Sequence, residues 1–171
     1  MNGRTESEFE VLVLPYLDAV YDMALRLTGS ASDAKDLTQE TFLKAFASFG
    51  RFEPGTSIRA WVFTILRNAA RNLRRDGARH PSEPLEEETC VAASPEDVPD
   101  WSRLTPDALD ALIARLPLHM REAVVLRDLQ GLSYREIATV LSCPVGTVMS
   151  RLHRGRRILK RELASKAVDG G

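Results

Sequence analysis

Two stretches, Gly131-Leu-Ser-Tyr-Arg-Glu-Ile-Ala138 and Pro144-Val-Gly-Thr-Val-Met-Ser-Arg-Leu-His-Arg-Gly-Arg-Arg157, decide the fold class of this chain. Ser133 is placed to cap a short helix, Tyr134–Leu141, in which Ile137, Ala138 and Leu141 face inward by three-to-four spacing. Ser142-Cys143-Pro144 makes a tight turn, and a long helix starts at about Val145. A short helix, a tight turn and a longer helix form the helix-turn-helix plan, whose second helix enters the major groove of DNA.

At 100° per residue the last helix is two-sided. Val145, Val148, Leu152 and Leu159 gather on one side. Ser150, Arg154, Arg157 and Arg161 lie within about 60° of one another on the opposite side, flanked by Thr147, Arg151 and His153. Arginine pairs bidentately with guanine or anchors phosphates, and small hydroxyls suit either task. An isolated arginine cluster is ordinarily a solvated face; the turn and the basic helix together favour a DNA reader.

Working outward, residues 116–163 parse as three helices, the first running Leu118–Leu129 and ending at Gln130-Gly131-Leu132. Thr105-Pro106-Asp107 starts that block, a cap followed by proline at the first helical position. Before it, residues 76–105 hold Pro81, Pro84, Pro95 and Pro99 amid acids, with Trp101 and Leu104 as the bulky anchors, and read as a flexible linker. The N-terminal block reads as three helices. Phe9, Leu12, Val13, Tyr16, Leu17, Val20, Ala24 and Leu27 share a face of the first, which Thr28-Gly29-Ser30 stops. Ser32 is the expected cap of the second, running to about Phe49; after the loop 50–56 a third spans about 57–75.

The second helix places Phe42, Phe46 and Phe49 on its expected buried side, with Asp33, Asp36, Glu40 and Lys44 opposite and Leu37 amid the acids. An exposed leucine is usually unremarkable; inside a charged rim it equally suits the centre of a docking site. The third helix interleaves Trp61, Phe63, Thr64, Arg67, Asn68, Arg71, Arg74 and Arg75, a mixture suited to stacking and holding single-stranded DNA. Trp61 and Phe63 also fit the core of a helical bundle.

The expected architecture is all-α: two small helical domains, 1–75 and 106–165, joined by an acidic tether at 76–105, with a tail at 166–171. With 171 residues, 44% of them hydrophobic, the chain has enough apolar material for two cores. Its net charge of −1 hides a strong asymmetry: residues 111–171 carry 11 Lys/Arg against 5 Asp/Glu, whereas residues 81–110 carry one Arg against nine acids. The basic segment, rather than the overall balance, points to nucleic acid. Cys90 and Cys143 are too few for a disulfide framework or a four-thiolate zinc site, and His80, His119 and His153 have no ligand partners at useful spacing. No metal or other cofactor is expected. No phosphate loop, zinc-protease run or nucleophile elbow supports an enzyme. No apolar run or leader suggests membrane insertion or export, so a cytoplasmic setting is expected.

The two opening stretches resemble region 4 of an extracytoplasmic-function (ECF, group IV) sigma factor of the sigma-70 family. Asp33-Ala-Lys-Asp-Leu-Thr-Gln-Glu-Thr-Phe42 and Ala60-Trp-Val-Phe-Thr-Ile-Leu-Arg-Asn68 similarly resemble region 2. The likeness covers both helical blocks in family order. It implies that Asp33, Asp36, Leu37, Gln39 and Glu40 bind core RNA polymerase at the β′ clamp helices. It further implies that Phe52, Glu53, Pro54, Gly55 and Thr56, with Trp61, Thr64, Arg67, Asn68 and Arg71, capture and read the melted −10 element. Thr147, Ser150, Arg151, His153, Arg154, Arg157 and Arg161 then read the −35 duplex.

The resemblance also implies further partners: the polymerase β flap and an anti-sigma factor. The Gly146–Arg157 run is similar to the subgroup answering thiol-oxidative stress, whose anti-sigma partner binds zinc. Met149, where many members carry Lys or Arg, lies near the apolar edge and suits packing as well as contact. The tether reads either as a self-repelling linker or, by resemblance, as the segment threading the RNA-exit path. Two other functions stand beside the sigma reading: a stand-alone helix-turn-helix regulator and a decoy that sequesters an anti-sigma factor. The docking segment weighs against the first and the intact basic face against the second.

Overall fold

A computed structural model describes residues 6–77 and 98–169. The described residues form helices and no strand, in two compact units. The first contains α1 (Glu6–Leu12), α2 (Leu17–Thr28), α3 (Ala31–Ser48) and α4 (Ile58–Gly77). The second contains α5 (Pro106–Ile113), α6 (Leu118–Val124), most of α7 (Tyr134–Leu141) and α8 (Val145–Asp169).

The expected single first helix is broken. Pro15 lacks an amide hydrogen, and the chain passes through a 3-10 turn, Leu14–Tyr16, before α2 begins. Gly29, at φ +68°, closes α2 in the left-handed conformation, donating its N–H to the Leu25 carbonyl. Ser30, rather than Ser32, caps α3: its hydroxyl accepts from the Asp33 amide at 3.3 Å.

The core of the first unit forms where α2, α3 and α4 pack against one another. Val20, Met23, Ala24, Val62, Phe63 and Leu66 are buried there. Phe63 is therefore a core residue. The buried stripe of α3 is Ala34, Leu37, Thr38, Thr41 and Ala45, not the expected row of phenylalanines. Thr38 and Thr41 become compatible with burial because their hydroxyls donate to the Ala34 and Leu37 carbonyls, each at 2.7 Å. Of the three phenylalanines only Phe49 is buried; Phe46 is 54% exposed.

In the second unit Thr105 caps α5 through the Ala108 amide at 3.3 Å, with Pro106 at the first helical position, as expected. The expected Leu118–Leu129 helix is α6 followed by one wide π turn, Val125–Leu129. Ser133 and Glu136 form a reciprocal capping box at the start of α7: the Glu136 amide donates to Ser133 Oγ at 3.1 Å, and the Ser133 amide to Glu136 Oε2 at 2.7 Å. Leu112, Leu116, Ala123, Val124, Leu126, Ile137, Val148, Leu152 and Leu159 are buried. Within the expected linker, residues 78–97 and with them Cys90 lie outside the described residues; Asp100 caps a 3-10 turn, Trp101–Arg103, with Trp101 and Leu104 half-buried.

Candidate nucleic-acid interface and docking groove

Placing Leu37 in the α3 core inverts the expected docking face. Leu37 is 1% exposed, so it stabilises the bundle and offers no surface to a partner. Asp33, Asp36 and Gln39 are exposed and Glu40 half-buried, with Glu40 paired to Lys44 at 2.6 Å one turn on. Beside them lies an open groove of about 630 Å³, floored by Phe9, Leu17, Tyr21, Phe42, Leu43 and Phe46 and edged by Asp18, Lys35 and Gln39. Leu43 is 65% exposed. An apolar floor with a polar rim is the anatomy of a protein-binding patch, suited to the side of a partner helix. Sequence reasoning missed Leu17, Tyr21 and Leu43, and misplaced Phe46 in the core.

On α4 and the preceding loop, Glu53, Pro54, Gly55 and Thr56 are exposed, as expected. Thr56 turns back on the loop, its hydroxyl donating to the Glu53 carbonyl at 2.7 Å. Phe52 differs from expectation: it is buried, with its ring centroid 6.4 Å from Phe49 and 5.3 Å from Trp61. This aromatic packing anchors the loop to the bundle, so Phe52 holds the loop's shape rather than offering a free ring. Trp61 is half-buried in that cluster, Thr64 and Arg67 are half-buried, and Asn68 and Arg71 are exposed. Asn68 lies in a concavity of about 470 Å³ shared with Lys44, Ser48, Arg51 and Ile65. An amide, two cations and an aliphatic floor match an unpaired base with its flanking phosphates. Lys44, Ser48 and Arg51 were not expected there; their proximity to Asn68 depends on α3 and α4 packing together.

In the second unit, α7, the turn and α8 take the helix-turn-helix form, the turn carrying Ser142 at φ +51°. Arg157 and Arg161 are exposed, and Thr147, His153 and Arg154 are half-buried. Ser150 and Arg151 depart from the expected open face: they are 1% and 7% exposed, and the Ser150 hydroxyl is returned to the Gly146 carbonyl at 3.1 Å. That backbone bond occupies the donor that would otherwise reach a base. Met149, Val145 and, in the turn, Cys143 are half-buried.

Arg156, one residue from the exposed Arg157, points the other way. Its Nε and Nη2 donate to Asp128 Oδ2 and Oδ1 at 3.0 and 2.5 Å, and both side chains are 3% exposed. Burial alone would lower the Arg156 guanidinium, but hydrogen bonding and charge from Asp128, with a contribution from Tyr134, raise it above the ordinary arginine value. Among the described residues no group of His, Cys, Asp and Glu is arranged to hold a metal, and no helix is long and apolar enough to cross a membrane.

These two surfaces coincide with two family matches. Residues 12–80 match the family described as sigma-70 region 2, and residues 107–159 match sigma-70, region 4. The chain is 41% identical over 165 residues to the ECF RNA polymerase sigma factor SigE of Mycolicibacterium smegmatis, covering 94% of this chain and 63% of that protein. It is 34% identical to the RNA polymerase sigma-H factor of Pseudomonas aeruginosa, covering 91% of this chain and 86% of the relative. Among solved structures, the sigma factor RpoE of Bartonella quintana, in complex with the anti-sigma factor NepR, has a TM-score of 0.72 at 29% identity, covering 92% of this chain and 98% of that one. The chain therefore belongs to the sigma-70 family, among its ECF RNA polymerase sigma factors.

Proposed function

We propose that this chain is an alternative sigma factor that binds core RNA polymerase and directs promoter-specific initiation under the control of an anti-sigma factor. The carrying observation is that one chain pairs an apolar groove with a polar rim on region 2 with a basic helix in a helix-turn-helix on region 4. Residues 1–75 dock and open DNA, 76–105 tether, and 106–165 read the duplex. At about 3.3 Å per residue, a 30-residue tether reaches at most roughly 100 Å. Promoter elements about two helical turns apart, roughly 70 Å, lie within that range.

The Leu43–Phe46 groove, with Asp33, Asp36, Gln39 and Glu40, meets the clamp helices of β′, and the β flap receives region 4. The Asn68 concavity takes an extruded base of the −10 element; binding that base offsets an unstacking cost of a few kcal/mol without ATP, so the protein acts as an initiation factor rather than an enzyme. Thr147, His153, Arg154, Arg157 and Arg161 contact the −35 duplex. Ser150 and Arg151 join them only if they become open on binding. The Gly146–Arg157 run supports the thiol-oxidative-stress subgroup, with a zinc-binding anti-sigma factor as cytoplasmic partner.

Run-off transcription with bacterial core polymerase over a library of promoter fragments tests this reading. Wild-type protein should yield transcripts sharing two spaced motifs, and Leu43→Asp/Phe46→Asp should abolish them. Duplex binding without core-dependent transcripts would instead make the chain a stand-alone regulator. Anti-sigma binding with neither would make it a decoy.

A further inference from the structure

The α8 helix must present its arginines at one rotation about its own axis, and a directional contact fixes a rotation more sharply than an apolar one. Val148, Leu152 and Leu159 are buried, but hydrophobic contact is non-directional. A turn of about 20° moves a side-chain tip about 6 Å from the axis by roughly 2 Å, enough to break a hydrogen bond to a base edge. A bidentate guanidinium–carboxylate pair, by contrast, tolerates little rotation.

Such a pair joins Arg156 of α8 to Asp128, both almost fully buried. Asp128 sits in the π turn, closed by the Gln130 amide donating to the Val125 carbonyl at 2.9 Å. The same turn carries Arg127, whose guanidinium lies 4.5 Å from the Tyr134 ring centroid at the start of α7 and whose Nη1 donates to the Leu132 carbonyl at 2.8 Å. Tyr134 also acts on the Arg156 guanidinium, adding to the Asp128 effect that holds it charged. The π turn, the first helix-turn-helix helix and the reading helix are thus linked through four side chains. Gly155, beside Arg156, sets the depth of the contact, since a Cβ there would lie 3.0 Å from Val124 Cγ2.

We infer that Arg156 is a positioning residue that fixes the rotation of α8, and with it the aim of Arg154, Arg157 and Arg161 at the −35 duplex. The inference rests on the proposed −35 reading by this helix. Arg156 itself faces Asp128 and contacts no DNA. Arg156→Lys keeps the charge and loses the fork; Tyr134→Phe removes only a hydroxyl and covers the case in which Arg156→Lys fails to fold.

The test is run-off transcription by reconstituted holoenzyme, from a promoter enriched out of random fragments, with every single-base change at both elements. Arg156→Lys should lower transcription about tenfold and flatten the −35 base preferences. The −10 preferences and core affinity should stay as in wild type, while the full chain keeps its helical circular dichroism. Tyr134→Phe should flatten the −35 profile in the same direction by about two- to threefold. Arg157→Ala is the control for the reading itself. If Arg157→Ala changes the −35 profile while Arg156→Lys, folded, and Tyr134→Phe do not, the positioning role is overturned alone. If Arg157→Ala also leaves that profile unchanged, the −35 reading falls and the inference with it.

Discussion

Gly155 of α8 stands against Val124 of α6 so closely that a Cβ on the glycine would lie 3.0 Å from Val124 Cγ2 and 3.4 Å from Met120 Cβ. Two terms oppose each other at this position. Alanine gains about 1 kcal/mol in helix propensity over glycine, and the crowding of Val124 takes back a similar amount. Gly155→Ala should therefore change stability by less than about 1 kcal/mol, whereas Gly155→Leu should destabilise by about 2–3 kcal/mol through overpacking. Denaturant midpoints of the two variants check both values.

Leu37 and Phe46, one buried and one exposed on the same helix, should separate stability from binding. Leu37→Ala leaves a cavity under α3 and should cost about 2–5 kcal/mol. Phe46→Asp should cost no more than about 1 kcal/mol, since half the ring already faces water. It should nevertheless weaken core-polymerase binding by at least about tenfold, read by titrating labelled core enzyme. A Phe46→Asp chain that bound core as tightly as wild type would remove the groove from the docking surface.

Arg154 and Arg157 should contribute to DNA affinity largely through phosphates and guanine edges. Replacing either with Ala should lower promoter-duplex affinity. A lost phosphate contact reduces the slope of log affinity against log salt by about 1, whereas a lost base contact costs about 1–3 kcal/mol and relaxes preference at one position. Binding isotherms at several salt concentrations, on specific and scrambled duplexes, assign each arginine to one class.

Asp100 offers a pH-dependent signal outside both surfaces. The Ser102 hydroxyl donates to its carboxylate at 2.6 Å and the Ser102 amide at 3.1 Å, holding its pKa below the usual aspartate range. Because the folded value is the lower one, the stabilisation is fully present above the ordinary aspartate pKa. It is lost as pH falls through the depressed value. The Asp100 carboxyl should thus titrate below a peptide aspartate by NMR, and the turn Trp101–Arg103 should fray as it does. Asp100→Asn should remove the pH dependence of that fraying.

The sequence was most legible where one residue type served one role. The Ser133 cap, the Thr105-Pro106 start and the buried side of α8 at Val148, Leu152 and Leu159 follow from local rules and were found where expected. The α3 face was misread because bulk was taken as the sign of burial. Its core stripe uses Ala34, Thr38, Thr41 and Ala45, small or hydroxyl-bearing residues that no hydrophobic pattern picks out. Phe52 was misassigned because its partners Phe49 and Trp61 come from both sides of a loop. The Asp128–Arg156 pair joins residues 28 positions apart, and only the packing of the second unit brings them together.

The small residues on the inner side of α3 have a further consequence, for handling rather than recognition. By filling the bundle with alanine and threonine, the chain leaves Leu43 and Phe46 on its surface. A continuous greasy strip of this kind makes the isolated chain prone to self-association and precipitation. Solubility should improve when a partner covers the strip, so co-expression with that partner is the natural route to concentrated, monodisperse protein.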